Sequence, residues 1–191
     1  MFLAPPAQPR GSAFALRGEM FRHSPTMQPS AAPEPPPPAP RAPTPVGLFL
    51  YFAYGANMRR EAFQKLCPGA DWLGVARLEG YRVVIAWHGY ASVLPDEAST
   101  VWGVLWLVPA ASLPTLDTFE GVAEGHYIRD TARVTTPAGP RGEAMIYRAP
   151  RADPGPPAPG YLAEVLAGAK ENKLPAAHRA ALARLAAGSA P

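Results

Sequence analysis

Two stretches of this sequence carry residue types that could do chemistry. The first is Tyr54-Gly55-Ala56-Asn57, which follows a short aromatic and aliphatic run. A strand that breaks into a helix start brings several free backbone N–H groups to one point. Gly55 permits close approach or a positive φ there, and the helix start favours a carboxylate or a developing oxyanion. Arg59 and Arg60 fall in the first turn, where the helix dipole disfavours cations, so they either project outward or help hold an anion. An ordinary strand-to-helix turn would give the same local pattern.

The second is Glu120. With Leu113 and Leu116 it falls at i, i+3 and i+7, so a helix would set its carboxylate on the buried stripe. Burial raises a carboxyl pKa by desolvation, which suits a general base working near neutral pH. Two other readings stay open: the helix ends early and leaves Glu120 exposed, or Glu120 pairs with a basic residue such as Arg129. Glu124, in the following loop, has no such placement.

Other motifs are missing or weak. There is no G-x-x-x-x-G-K-[ST] and no G-x-G-x-x-G, so the common phosphate cradles are absent. His23, His88, His126 and His178 show no paired spacing with Cys or His, and no zinc site is expected. Cys67 and His88 could form a nucleophile pair, but Cys67 closes an apolar helix pattern and reads as a buried, inert thiol. Tyr51, Trp72, Trp87, Trp102, Trp106, Tyr147 and Tyr161 read chiefly as core. Tyr161 follows a Pro-rich loop and could stand at a pocket mouth.

The elements that must position these residues begin near Val46. Leu48–Tyr54 has the texture of a buried strand. Asn57 is a candidate N-cap for a helix over Met58–Cys67, stopped by Pro68-Gly69. Further strands are expected at Trp72–Leu78, Tyr81–Trp87, Ala91–Leu94, Val101–Val108, Tyr127–Val134 and Glu143–Arg148. Turns are expected at Glu79-Gly80, His88-Gly89, Pro95-Asp96 and Pro137 to Pro140. Within that series Ser112 can cap a helix with Leu113, Leu116 and Phe119 as its apolar stripe and Gly121 as its end. Tyr161–Lys170 and Ala176–Ala187 read as two closing helices, with Pro175 in the first turn of the second. Strands in series, short turns and helices added at one side indicate an α+β domain with a curved, mostly antiparallel sheet, open or closed.

Composition sets bounds on function. A chain of 191 residues that is 48% hydrophobic can hold one ordinary core. Half of its 26 prolines fall within residues 1–46, including Pro35 to Pro38 in a row. That segment is expected to be a disordered, Pro-rich tail, leaving 47–191 as the folded domain. Met20 and Met27 leave the true start open. Of the net charge of +3, the tail takes +2 (Arg10, Arg17, Arg22 and Arg41 against Glu19 and Glu34), so the body holds only +1. Such a body has no footprint for nucleic acid or an anionic membrane. The longest apolar stretches, Val46–Tyr54 and Val101–Leu113, fall short of the about 20 residues a membrane span needs. A single cysteine excludes an intrachain disulfide and points to a reducing compartment, read here as the cytoplasm. An acid-poor, Arg-containing start faintly suggests a transit peptide as the alternative.

Four blocks, in order, resemble the γ-glutamylcyclotransferases, over nearly all of residues 48–186. They are Leu50-Tyr51-Phe52-Ala53-Tyr54-Gly55-Ala56-Asn57-Met58; Val101-Trp102-Gly103-Val104-Leu105-Trp106; Leu116-Asp117-Thr118-Phe119-Glu120-Gly121-Val122, followed by Tyr127; and Pro159-Gly160-Tyr161 with Gly168-Ala169-Lys170-Glu171-Asn172-Lys173-Leu174-Pro175. The resemblance implies a small mixed, mostly antiparallel β-barrel with flanking helices and a cavity, makes 47–191 the catalytic domain, and implies a reaction that needs no cofactor. It implies that a γ-glutamyl group sits against Tyr51, Phe52, Ala53, Tyr54, Gly55, Ala56 and Asn57, with Tyr147 and Tyr161 also at the site. It makes Glu120 the acid/base residue of an intramolecular cyclisation that gives 5-oxoproline and a free amine or amino acid. Ala56 stands where the family usually has Ser, which removes a hydroxyl but keeps the backbone N–H. Met58 stands where it usually has Leu.

The resemblance also leaves a homodimer open. The competing expectations are a γ-glutamylamine cyclotransferase, a biosynthetic deprotecting enzyme of the same fold, or a catalytically silent binding module whose Pro-rich tail recruits partners. Retention of Glu120 speaks against the last.

Overall fold

The computed structural model describes residues 47–151 and 153–186. The tail expected to be disordered lies outside the described residues. Five strands form a closed barrel in the order β1-β3-β2-β4-β5. They are β1 (Leu48–Ala53), β2 (Asp71–Ile85), β3 (Ala91–Pro109), β4 (Ile128–Thr136) and β5 (Gly139–Arg148). All neighbours are antiparallel except β1 and β5, which run parallel and meet at Tyr51 and Met145. The helices are α1 (Arg60–Leu66), α2 (Leu113–Phe119), α3 (Tyr161–Glu171) and α4 (Ala176–Ala186). This is the expected α+β barrel with flanking helices.

β1 is apolar almost throughout because it is buried as its chain proceeds, and its register sets Tyr51 beside Trp106 of β3. Trp106 packs on Phe63 of α1 at 4.5 Å between ring centroids, and Phe63 stacks on Tyr51 at 5.5 Å. Trp106, Phe52 and Phe63 are fully buried. Each such ring stabilises the fold by about 1.5–3 kcal/mol, and together they fix the end of β1 that leads into the site.

Several boundaries differ from expectation. The two strands expected on either side of Glu79-Gly80 are one strand, β2. Gly80, at φ 77°, forms a bulge between Glu79 and Tyr81 instead of a turn. Pro95 likewise lies within β3, opposite Tyr81, so Ala91–Leu94 and Val101–Val108 belong to one strand. Long pairing between β2 and β3 outweighs the local turn preference of Pro95-Asp96. β5 begins at Gly139, four residues earlier than expected.

Asn57 is not the cap of α1. It sits inside a 3₁₀ turn, Ala56–Met58, and α1 starts only at Arg60 with no side-chain cap. Ser112 stands at the expected position before α2, but its side chain makes no cap hydrogen bond, because a 3₁₀ turn over Ala110–Ser112 precedes it. At the other end Gly121 (φ 64°) closes α2 as expected. The N–H of Gly121 donates to Thr118 O and that of Val122 to Asp117 O, the paired closure of a Schellman motif.

The C-terminal helices fasten the 3₁₀ turn to the barrel. A Cβ on Gly168 of α3 would come within 2.9 Å of Met58 Cβ, so only glycine lets α3 lie this close. Asn172 Nδ2 donates to Met58 O at 2.8 Å, and Asn172 Oδ1 accepts from Trp72 Nε1 and Arg60 Nε. Of the described residues, no helix is long and apolar enough to cross a membrane.

Candidate active site

β1 delivers Tyr51 and, just past its end, Tyr54-Gly55-Ala56-Asn57. The C-terminal end of α2 delivers Glu120. Both meet at a cavity of about 360 Å³, within the usual range for a small-molecule site. Tyr51, Tyr54, Gly55, Ala56, Asn57, Glu120, Tyr147 and Tyr161 all reach its wall. Phe52 and Ala53 are completely buried and do not line it, since Phe52 turns into the core.

Glu120 follows α2 as its C-cap residue, with φ −83° and ψ −3°. The expected apolar stripe is only partly realised. Leu116 is fully buried, but Phe119 is 58% exposed and lies on the cavity rim. Glu120 therefore reaches the cavity from the helix end, and Arg129 pairs with Asp117 instead.

Asn57 is the hub of the site. Its Nδ2 donates to Glu120 Oε1 at 2.8 Å and to the Tyr51 hydroxyl at 3.0 Å. Glu120 is only half-buried as a residue, yet desolvation of its carboxyl raises the pKa to about 7, with the hydrogen bonds from Asn57 and Tyr51 pulling the other way. Near neutrality both protonation states are populated, which is what a group that takes and returns a proton requires.

Tyrosines form most of the remaining wall. Burial raises the phenols of Tyr51 and Tyr54, so both stay protonated. Tyr54 donates to the backbone oxygen of Tyr147. Tyr147 donates to Asp117 Oδ1 at 2.7 Å, so its hydroxyl is already engaged. Tyr161, from the first turn of α3, accepts from the N–H of Ala91 at 3.2 Å. A Cβ at Gly55 would fall 2.7 Å from that hydroxyl. Gly55 has φ −113°, so the glycine is required for close approach and not for a left-handed backbone.

Sequence reasoning missed Tyr90, Ala91 and His126 on the wall, and gave Phe119 to the core. Tyr90 and His126 sit in turns, where no periodicity marks them. Asp117 was quoted only as part of a block, although it anchors Tyr147.

Arg59 and Arg60 turn away from the cavity. Arg59 pairs with Glu164 at 2.9 Å and Glu171 at 3.3 Å, and the Arg60 guanidinium lies 3.7 Å over Trp72. They project outward, as one of the two readings had it. Cys67 is buried, with its thiol pushed up to about 11 by desolvation, and it is inert. No three His, Cys, Asp or Glu side chains gather as a metal site among the described residues.

The comparisons agree with this geometry. A model of the AIG2-like family matches residues 100–182. The γ-glutamylcyclotransferases of Bos taurus and Homo sapiens are each 34% identical over 137 residues, covering 66% of this chain and 73% of theirs. A solved structure titled gamma-glutamyl cyclotransferase is 32% identical, with a TM-score of 0.66 over 72% of this chain and 87% of its own. YkqA from Bacillus subtilis is 26% identical, with a TM-score of 0.65 over 74% of this chain and 55% of its own. With the same barrel, the ordered blocks and this degree of identity, the chain belongs to the γ-glutamylcyclotransferase family.

Proposed function

We propose that this protein is a γ-glutamylcyclotransferase, converting γ-glutamyl amino acids or dipeptides to 5-oxoproline and a free amine, and that residues 47–191 are its catalytic unit. The observation that carries the reading is the contact between Glu120 and Asn57 at 2.8 Å, on the wall of a cavity that also takes in the Tyr54–Asn57 turn.

The reaction follows from those groups. A γ-glutamyl α-amine is protonated in water and cannot attack. Ionised Glu120 removes one proton from it. The freed nitrogen attacks the γ-carbonyl carbon of the same molecule, closing a five-membered ring. Charge builds on the carbonyl oxygen, and the backbone N–H groups of the Tyr54–Asn57 turn are suited to hold it. Protonated Glu120 then gives its proton to the leaving nitrogen as the amide C–N bond breaks. No water is consumed. One C–N bond forms and another breaks. Glu120 is returned ionised, and the second proton left on the ring nitrogen after attack passes to the departing amine, which leaves as an ammonium ion while the ring keeps one N–H. Because nucleophile and electrophile share one molecule, fixing the substrate's rotamer supplies much of the acceleration. Tyr51 and Asn57 orient the carboxyl, while Tyr161 closes over Gly55.

A cytoplasmic setting fits the single buried thiol. The test is to incubate the full chain with γ-glutamyl-alanine and identify both products. Equimolar 5-oxoproline and alanine are expected. Glutamate in place of 5-oxoproline would mean hydrolysis by water and would contradict the reading.

A further inference from the structure

Glu120 and Asn57 apart, the side chains that line the cavity are mostly aromatic. Phe119 is 58% exposed and Tyr90 is 44% exposed, yet both line the same cavity as Glu120. His126 stands on that wall, and Trp87, itself 40% exposed, meets it edge-on with ring centroids 5.8 Å apart. Tyr90 is fixed in turn by an edge contact with Tyr161 at 4.9 Å. A single exposed aromatic residue needs no explanation, but Phe119 and Tyr90 on one cavity, with the His126 ring on the same wall, form an aromatic contact surface. No Lys or Arg lines the wall among the described residues, and the Arg151 guanidinium lies outside that lining, 5.1 Å over the Trp87 ring.

We propose that this rim is the subsite for the leaving group, and that Phe119 and Tyr90 set its specificity toward flat, apolar amines whether or not they bear a carboxylate. The inference rests on the cyclotransferase reading and deepens it. With the γ-glutamyl part held near Glu120 and Asn57, the departing amine points to the open end, where rings are the contacts on offer. Ring-on-ring contact and burial of an apolar side chain there favour aromatic leaving groups. A small group such as alanine leaves Phe119 uncovered. A carboxylate on the leaving amine gains little, since no Lys or Arg lines the cavity wall among the described residues.

The test compares kcat/KM of the full chain on three substrates: γ-glutamyl-alanine, γ-glutamyl-phenylalanine and γ-glutamyl-phenethylamine, which keeps the ring but lacks the carboxylate. Both ring substrates are expected to exceed γ-glutamyl-alanine by about tenfold or more, a range an apolar pocket can deliver, and to lie within about threefold of each other. Phe119→Ala and Tyr90→Ala should each shrink the ring-to-alanine ratio. Because the ratio is read within each variant, a general loss of active enzyme does not disturb it. Equal or better turnover of γ-glutamyl-alanine, or a ratio unchanged in both variants, would overturn the inference while leaving the cyclotransferase reading intact. Turnover of the phenylalanine but not the phenethylamine compound would overturn its claim about the carboxylate. Failure on all three would overturn both readings together.

Discussion

Tyr147 and Asp117 share a hydrogen bond of 2.7 Å that ties β5 to the helix carrying Glu120. Asp117 lies three residues before Glu120, and its backbone oxygen accepts the closing N–H of Val122. The Tyr147 ring meets Tyr51 edge-on at 5.9 Å, and the Tyr51 hydroxyl accepts from the same Asn57 amide that holds Glu120. The proposed base is therefore held from two sides through one connected set of contacts.

That arrangement predicts coupled effects. Tyr147→Phe and Asp117→Ala should each lower kcat about tenfold, the scale of one hydrogen bond to a charged group. The double variant should be about as slow as Asp117→Ala alone, because Tyr147→Phe removes a bond that Asp117→Ala has already removed together with the Arg129 pair. Steady-state kinetics on a four-member cycle reads this directly, and fully multiplicative losses would show that the two residues act separately.

The raised pKa of Glu120 predicts the acid limb of the pH profile. In the proposed mechanism ionised Glu120 is the active form, so kcat/KM should rise with pH through a midpoint near 7. Asn57 stabilises the ionised carboxylate, so Asn57→Ala should move that midpoint upward as well as slow the reaction. A profile flat between pH 5 and 8 would remove Glu120 from the rate equation.

The same group costs stability. Its pKa rises from 4.5 to about 7 on folding, so the folded state holds its proton more tightly than the unfolded chain. Stability from this group is fully present below pH 4.5 and is lost as pH rises through 7. Glu120→Gln should thus be more stable than wild type at pH 8 by on the order of 2–3 kcal/mol, with the gap closing near pH 4.5. Urea denaturation at the two pH values measures it, and an equal gap at both would contradict the burial argument.

Gly55 and Tyr161 should show a steric exchange. Gly55→Ala sets a methyl 2.7 Å from the Tyr161 hydroxyl, which also accepts from Ala91 N–H. A destabilisation of about 1–3 kcal/mol is expected from the overpacking. Tyr161→Phe in the same chain removes the clashing oxygen and should restore part of it. Thermal denaturation of both variants and their combination decides; a combined loss equal to the sum would mean that the methyl is accommodated elsewhere.

How far the sequence could be read depended on the range of the contacts involved. β1, the Gly121 closure and the two C-terminal helices were legible because their signals are local: a continuous apolar run, a glycine at the helix end, and a Pro before a periodic stretch. The Asn57 cap was misread because a 3₁₀ turn and an N-capped helix start share the same residue preferences, and tertiary bonds to Glu120 and Tyr51 chose between them. Burial of Glu120 was expected from a stripe that also included Phe119, but α2 ends one residue before Glu120 and turns Phe119 outward. Asn172 fixes the backbone of Met58 from 114 residues away, a relation that no local pattern carries.

The central claim is that Glu120 moves the proton in an intramolecular cyclisation. The most direct measurement is the rate of 5-oxoproline formation from γ-glutamyl-alanine by wild type and by Glu120→Gln at pH 8, where the variant is expected to be fully folded. The account predicts a kcat lower by about 10²–10⁴-fold, the usual worth of a positioned acid/base group, with KM changed far less. Equal turnover by the variant would contradict it.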